Sequence, residues 1–236
     1  MTDQTSRIPE MPTSVELTAF WSDLSTESQT ALLDGASLLE FEHYDRLDID
    51  FGLILSGTAG IEYTVGGGRR CLVELFRAGD LVDLCRHERR QQGSLIGLGQ
   101  GSVLALHAVE FETSAQVHPD IAEAYRHSIE DQLGRLRDHV NDLAVKTPLE
   151  RIASVLFEFR RWPCENRGHP TDLVLPLLRK DIAAYAGMKP ETVSRVLRRL
   201  LEAGLIEAAT TDREVITMLE TPALRLIANG AAPRGS

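Results

Sequence analysis

The chain has 236 residues, 43% of them hydrophobic and 25% charged, with a formal net charge of −10 and three cysteines. This is the composition of a globular protein with one large domain or two modest ones, and no apolar run approaches the ~20 residues that cross a bilayer. The polar opening MTDQTSRIPEMPTS lacks the apolar core of a signal peptide. Cys71, Cys85 and Cys164 are scattered and odd in number, which excludes a disulfide framework and points to a reducing cytoplasm.

Residues 1–14 are polar, carry two prolines and are expected to be disordered. From Val15 to about Leu39, the clusters Leu17, Phe20, Trp21, Leu24 and then Ala31, Leu32, Leu33 predict two short helices. The period then changes. Leu53-Ile54-Leu55 before Ser56-Gly57 reads as strand and turn, and Ile61–Val65 as the next strand. Gly66-Gly67-Gly68 makes a tight hairpin, and Cys71–Phe76 returns. After the Ala78-Gly79-Asp80 turn, short strands continue through Leu95–Leu98 and Val103–Leu106. Many short strands with glycine turns indicate a small antiparallel barrel or roll, here residues 15–118 with flanking helices.

A long helix is predicted over residues 119–146. Ile121, Tyr125, Ile129, Leu133, Leu136, Val140 and Leu143 are spaced by threes and fours along it. That alternation is a coiled-coil seam and predicts a homodimer. Thr147-Pro148-Leu149-Glu150 opens the next helix with a capping-box threonine, a first-turn proline and a glutamate three residues after the cap. Ile152, Val155, Leu156 and Phe159 supply its buried face, followed by a loop over Pro163–Thr171 and the apolar run Leu173–Leu178.

Arg179 to Ile206, RKDIAAYAGMKPETVSRVLRRLLEAGLI, reads as two short helices broken at Gly187–Pro190. A glycine accepts the left-handed C-cap, and proline suits a first helical turn. Ala183, Gly187, Val193 and Val196 stand where a helix-turn-helix needs a small crossing residue, a turn glycine and core contacts. Val193, Val196, Leu197 and Leu200 form a buried stripe on the second helix, and Glu191, Ser194, Arg195 and Arg198 form the opposite polar face. That face suits DNA. Arg195 can fork onto guanine O6 and N7, Glu191 can accept from cytosine N4, and the short Ser194 lets the helix sit close. Residues 179–199 hold six basic and two acidic side chains in an otherwise acidic chain, a positive island suited to phosphates. Arg179, Lys180, Lys189, Thr192 and Arg198 are assigned to the phosphate backbone. Leu205-Ile206 and Val215-Ile216, joined by a polar turn around Asp212, read as a two-stranded wing. The winged helix-turn-helix spans 147–230, and 231–236 is a tail outside the fold.

This run resembles the DNA-binding signature of the CRP/FNR superfamily of bacterial transcription regulators. Pro190-Glu191-Thr192-Val193-Ser194-Arg195 is similar to the E-x-x-S-R recognition helix of its FNR and FixK branch. The resemblance implies an α+β fold: a cyclic-nucleotide-binding-like β-roll, a long dimerisation helix and a C-terminal winged helix-turn-helix. It further implies a TTGA-like inverted repeat as target, RNA polymerase as a partner, an activator's role and a cytoplasmic location. The chain departs from the family in placing Leu178 and Lys189, without a capping oxygen, before the two helices of the motif.

The signal is left open. In the superfamily, a cyclic nucleotide is held by a glutamate shortly after the Gly-Asp turn and by an arginine further on, positions that hold Leu84 and Gly93 here. A buried phosphate without a paired cation is costly, so cyclic AMP is not expected. Arg86, Arg89 and Arg90 read as a solvated face, and a cyclic-nucleotide-responsive regulator with a rearranged pocket stands as the alternative. An iron–sulfur cluster needs four cysteine ligands, one more than the chain has. Haem, nitric oxide, oxygen or redox sensing remains, as does a regulator that needs no ligand, with Cys85 and His87 as candidate sensor residues beside His43 and His107 in the roll. No catalytic residue or metal ligand set is assigned. A cupin-like enzyme on the roll would need a His-x-His pair, and the chain has no such pair, HExxH, Walker A loop or GxSxG.

Overall fold

The computed structural model describes residues 19–66, 68–85, 93–160, 172–175, 177–209, 215–219 and 221–230. The expected disordered N-terminus, Arg86, His87, Arg89 and Arg90, the Pro163–Thr171 loop with Cys164, the turn around Asp212 and the tail 231–236 lie outside the described residues. The chain divides into two compact units, Met1–Gly60 with Leu75–Gln132, and Ile61–Glu74 with Leu133–Ser236.

The elements of the roll are α1 (Ala19–Ser22), α2 (Thr26–Asp34), β1 (Ser37–Phe41), β2 (Phe51–Ser56), β3 (Thr58–Val65), β4 (Arg69–Arg77), β5 (Leu81–Asp83), β6 (Gly93–Gly97), β7 (Gly101–Leu106) and α3 (Ala108–Val117). They form a four-stranded sheet in the order β1-β7-β2-β5 and a three-stranded sheet in the order β4-β3-β6. Pairing in the first sheet is antiparallel, with Leu39 opposite Val103 and Leu53 opposite both Leu104 and Leu81. Leu53, Leu55, Leu81 and Leu104 fill the core with Phe20, Trp21, Phe51 and Phe111, whose rings at 51 and 111 stack at 4.2 Å. Gly57 turns β2 into β3 with φ +79°, and a Cβ there would meet the Gln100 carbonyl oxygen at 2.5 Å. Only glycine satisfies both conditions.

Two elements differ from expectation. Leu38 and Leu39, expected in a helix, lie in β1, because a Leu-Leu pair carries no period and the available edge of β7 decides. Residues 108–117, given no element of their own within the expected roll and its flanking helices, form α3, whose single buried residue, Phe111, leaves no stripe to read.

The long helix α4 (Pro119–Val145) has 27 residues. Its start is fixed within the first unit. The Ser25 amide and Ser28 hydroxyl donate to the Asp120 carboxylate, holding its pKa down at about 2. The Tyr125 hydroxyl donates to Asp83 Oδ2 at 2.7 Å, and the buried Gln132 amide donates to the Leu81 carbonyl. The expected dimer seam is corrected at Ile121. Ile121 is 0% exposed inside the roll's core and has no face for a second copy, while Tyr125, half-buried, packs one side against the same cluster. Periodicity marks an apolar stripe but not what covers it. Further along, Leu133 is 43% and Val140 58% exposed, while Ile129, Leu136 and Leu143 are half-buried. Among the described residues, no helix is long and apolar enough to cross a membrane.

The second unit contains α5 (Pro148–Arg160), β8 (Asp172–Val174), α6 (Arg179–Tyr185), α7 (Pro190–Glu202), β9 (Ile206–Ala209), β10 (Val215–Met218) and α8 (Thr221–Ala228). The capping box at the start of α5 forms in both directions: Glu150 accepts from the Thr147 amide at 2.7 Å, and the Glu150 amide donates to the Thr147 hydroxyl at 3.4 Å. The wing has three strands rather than two, in the order β8-β10-β9, because the start of the Leu173–Leu178 run pairs with β10. Val193, Leu197 and Leu200 of α7 are buried in a core with Ile152, Leu156, Phe159, Ile182, Met218 and Leu224.

Candidate nucleic-acid interface

The two helices of the motif are joined by a turn that depends on Gly187, at φ +64°. The Ala186 amide donates to Ile182 and the Met188 amide to Ala183, closing the carbonyl end of α6. Pro190 begins α7, and neither Leu178 nor Lys189 supplies a side-chain cap, as the sequence implied. Their backbone carbonyls still accept the first helical bonds, from Asp181, Ile182, Thr192 and Val193.

Helix α7 is sharply two-faced. Val193, Val196, Leu197 and Leu200 are buried, while Glu191, Arg195, Arg198 and Arg199 are exposed. Thr192 and Ser194 are half-buried at the edge. Among the described residues, no carboxylate pairs with Lys189, Arg195 or Arg198. Arg179 and Lys180 are also exposed at the start of α6. The Arg179 guanidinium donates to the Ser194 hydroxyl at 3.4 Å, which sets the first residues of α6 beside the middle of α7. The residues assigned to bases and phosphates therefore lie on neighbouring parts of one helix-turn-helix.

Sequence reasoning missed the groups that hold this motif. The Arg151 guanidinium, from α5, donates to the carbonyls of Leu143 at 2.8 Å, Lys146 at 2.9 Å and Ala186 at 3.2 Å. One cation thereby satisfies the carbonyl ends of two helices, α4 and α6, where the dipole favours positive charge. The Tyr185 ring stacks on His139 of α4 at 3.9 Å and 4° between planes, and its hydroxyl donates to Glu158 at 3.1 Å. Burial and the Glu158 charge hold Tyr185 protonated far above the ordinary phenol range, and burial lowers the His139 imidazole pKa. None of these residues belongs to a recognisable spacing. The one legible signal is Arg151 itself, a cation four residues after a capping threonine.

In the roll, Cys85 is a free, half-buried thiol, and its amide donates to Asp83 Oδ1 at 3.0 Å. Burial, reinforced by Asp83, Asp50 and Glu112, pushes its pKa up to about 11. This is the opposite of the electropositive setting that makes a reactive thiolate. Leu84 donates its amide to the Asp50 carbonyl and Gly93 opens β6, while His87 lies outside the described residues.

The Crp-like helix-turn-helix domain family matches residues 150–227. The nitrogen fixation regulation protein FixK of Bradyrhizobium diazoefficiens is 26% identical over 204 residues, 79% of this chain and 86% of its own length. FixK of Rhizobium meliloti is 37% identical over 97 residues, 41% of this chain and 43% of its own. The solved structure of FixK2 from Bradyrhizobium japonicum superposes with a TM-score of 0.70 at 22% identity, over 81% of this chain and 96% of that one.

Proposed function

We infer that this chain, a DNA-binding transcription regulator of the CRP/FNR type, reads a TTGA-like inverted repeat as a homodimer and activates transcription from the sites it occupies. One observation carries this reading. The exposed face of α7 presents Glu191 and Arg195, and among the described residues no carboxylate pairs with Arg195 or with the flanking Lys189 and Arg198. Arg195 and Glu191 are suited to guanine and cytosine edges. Arg179, Lys180, Lys189, Thr192 and Arg198 surround them as phosphate contacts.

Two such helices must face successive major grooves about 34 Å apart, which calls for a two-fold partner. The exposed part of α4 around Leu133 and Val140, with Ile129, Leu136 and Leu143 at its margins, supplies an apolar face for one. By the same family resemblance, RNA polymerase is the protein partner and the cytoplasm the site of action. For the signal, the acidic surroundings of Cys85 disfavour thiolate chemistry at that position.

The test is a binding titration against the inverted repeat, single-base variants of each half-site and a scrambled duplex. Arg195→Ala and Glu191→Ala should each cost about 1–3 kcal/mol and relax preference at one base position. Lys189→Ala should weaken all duplexes alike and flatten the salt dependence. Identical behaviour in both groups would contradict the assignment of α7.

A further inference from the structure

We infer that Arg70, from the β3–β4 hairpin, is a positioning residue for DNA recognition, holding α6 through a buried ion pair with Asp181. The inference rests on the reading of α6 and α7 as the DNA-contacting pair. Arg70 lies 111 residues before Asp181 and outside the helix-turn-helix match at 150–227. Yet the hairpin Ile61–Glu74 belongs to the same compact unit as Leu133–Ser236.

The geometry is specific. The Asp181 side chain is 0% exposed, and its Oδ1 accepts from Arg70 Nη1 at 3.1 Å. The Nε of the same guanidinium pairs with Glu62 Oε2 on the facing strand, so the hairpin itself orients the fork. A carboxylate this deeply buried is stable only when a cation or several donors compensate it. In the first turn of α6, Asp181 also gains from the helix dipole, but a seven-residue helix is too short to hold its own orientation. Its carbonyl end is anchored by Arg151, and Arg70 is an anchor at its amino end.

The consequence for DNA follows from position. Asp181 stands two residues after Arg179, whose guanidinium meets Ser194 on α7. Without Arg70, the buried Asp181 carboxylate loses this cation beside the phosphate-facing Arg179 and Lys180, and α6 is less firmly set against α7. Base contacts depend on the placement of α7, whereas attraction to phosphates depends mainly on total charge. Specific binding should therefore suffer more than non-specific binding.

The experiment combines DNA titration with hydrogen exchange on the full chain. Arg70→Gln should weaken binding to the inverted repeat about tenfold, within the usual range of coupling between sites, and binding to scrambled duplex by clearly less. Arg70→Lys, which keeps the charge without the fork, should fall between. In an Asp181→Asn background, Arg70→Gln should add little, since the pair is already broken. Linkage also requires the reverse effect: the inverted repeat should slow amide exchange in residues 61–74 of the wild type but not of Arg70→Gln. Unchanged specific binding in Arg70→Gln, or full additivity with Asp181→Asn, would overturn the inference. If the wild type shows no preference for the inverted repeat, the DNA reading fails separately. The anchor is then judged on the free protein, where faster exchange across 179–185 in Arg70→Gln upholds it and unchanged exchange overturns it.

Discussion

The roll and the helix-turn-helix use their polar side chains in opposite ways. In the roll, the conspicuous polar groups are turned inward onto other parts of the chain. Asp120 is taken up by Ser25 and Ser28, Asp83 by Tyr125 and the Cys85 amide, and Gln132 by the Leu81 carbonyl. On α7, Glu191, Arg195 and Arg198 face outward over an apolar inner stripe, and among the described residues none of the three side chains has a hydrogen-bond or ion-pair partner. Buried polar groups need internal partners, while exposed cations without carboxylate partners suit an external anion.

The contrast can be broken first at the proposed partner face. Leu133→Glu with Val140→Glu places two carboxylates on the exposed apolar face of α4. Loss of the second subunit should lower affinity for the inverted repeat by at least about a hundredfold, with sedimentation showing monomers. A variant that stays dimeric and binds normally would move the interface elsewhere.

Next in size is the internal anchoring of the reading head. Arg151→Ala removes donors from three carbonyls at two helix ends and should destabilise the second unit by about 2–4 kcal/mol in denaturant unfolding. Arg151→Lys, with a single point of charge, should recover only part of that. The His139–Tyr185 stack predicts a smaller, pH-dependent effect. Burial holds the His139 pKa below its ordinary 6.5, so as pH falls the unfolded chain takes up the proton first. The stabilisation is complete above about pH 6.5 and declines below it. His139→Phe should flatten that slope in thermal unfolding between pH 5 and 7.5.

The smallest effect belongs to Cys85. With its pKa pushed up to about 11, the thiol should react slowly with alkylating reagents at neutral pH and speed up only in strong alkali. Cys85→Ser should leave DNA affinity unchanged under reducing and oxidising conditions alike. A redox-dependent loss of binding abolished by this variant would restore thiol sensing in the roll.

Legibility in the sequence follows the same division. The two-faced pattern of α7, the turn at Gly187 and the capping box at Thr147 are local patterns, each specified within a few residues, and the structure has them in place. What local pattern lacks is information about partners distant in the chain. The stripe on α4 is real, but Ile121 and Tyr125 spend it on the roll. Strand β8 exists because β10 offers it an edge, and α3 buries only Phe111 and so shows no helical repeat. Arg70, Glu158 and His139 were silent for the same reason, since each acquires its role from a residue on another element.

The most direct test of the central claim is a fluorescence-anisotropy titration of the wild type and Arg195→Ala against a TTGA inverted repeat and its scrambled counterpart, at two salt concentrations. The expected result is tighter wild-type binding to the inverted repeat at both concentrations, with Arg195→Ala losing the preference while keeping salt-dependent binding to either duplex. Equal binding of the two duplexes by the wild type, or a preference that survives Arg195→Ala, would contradict the account.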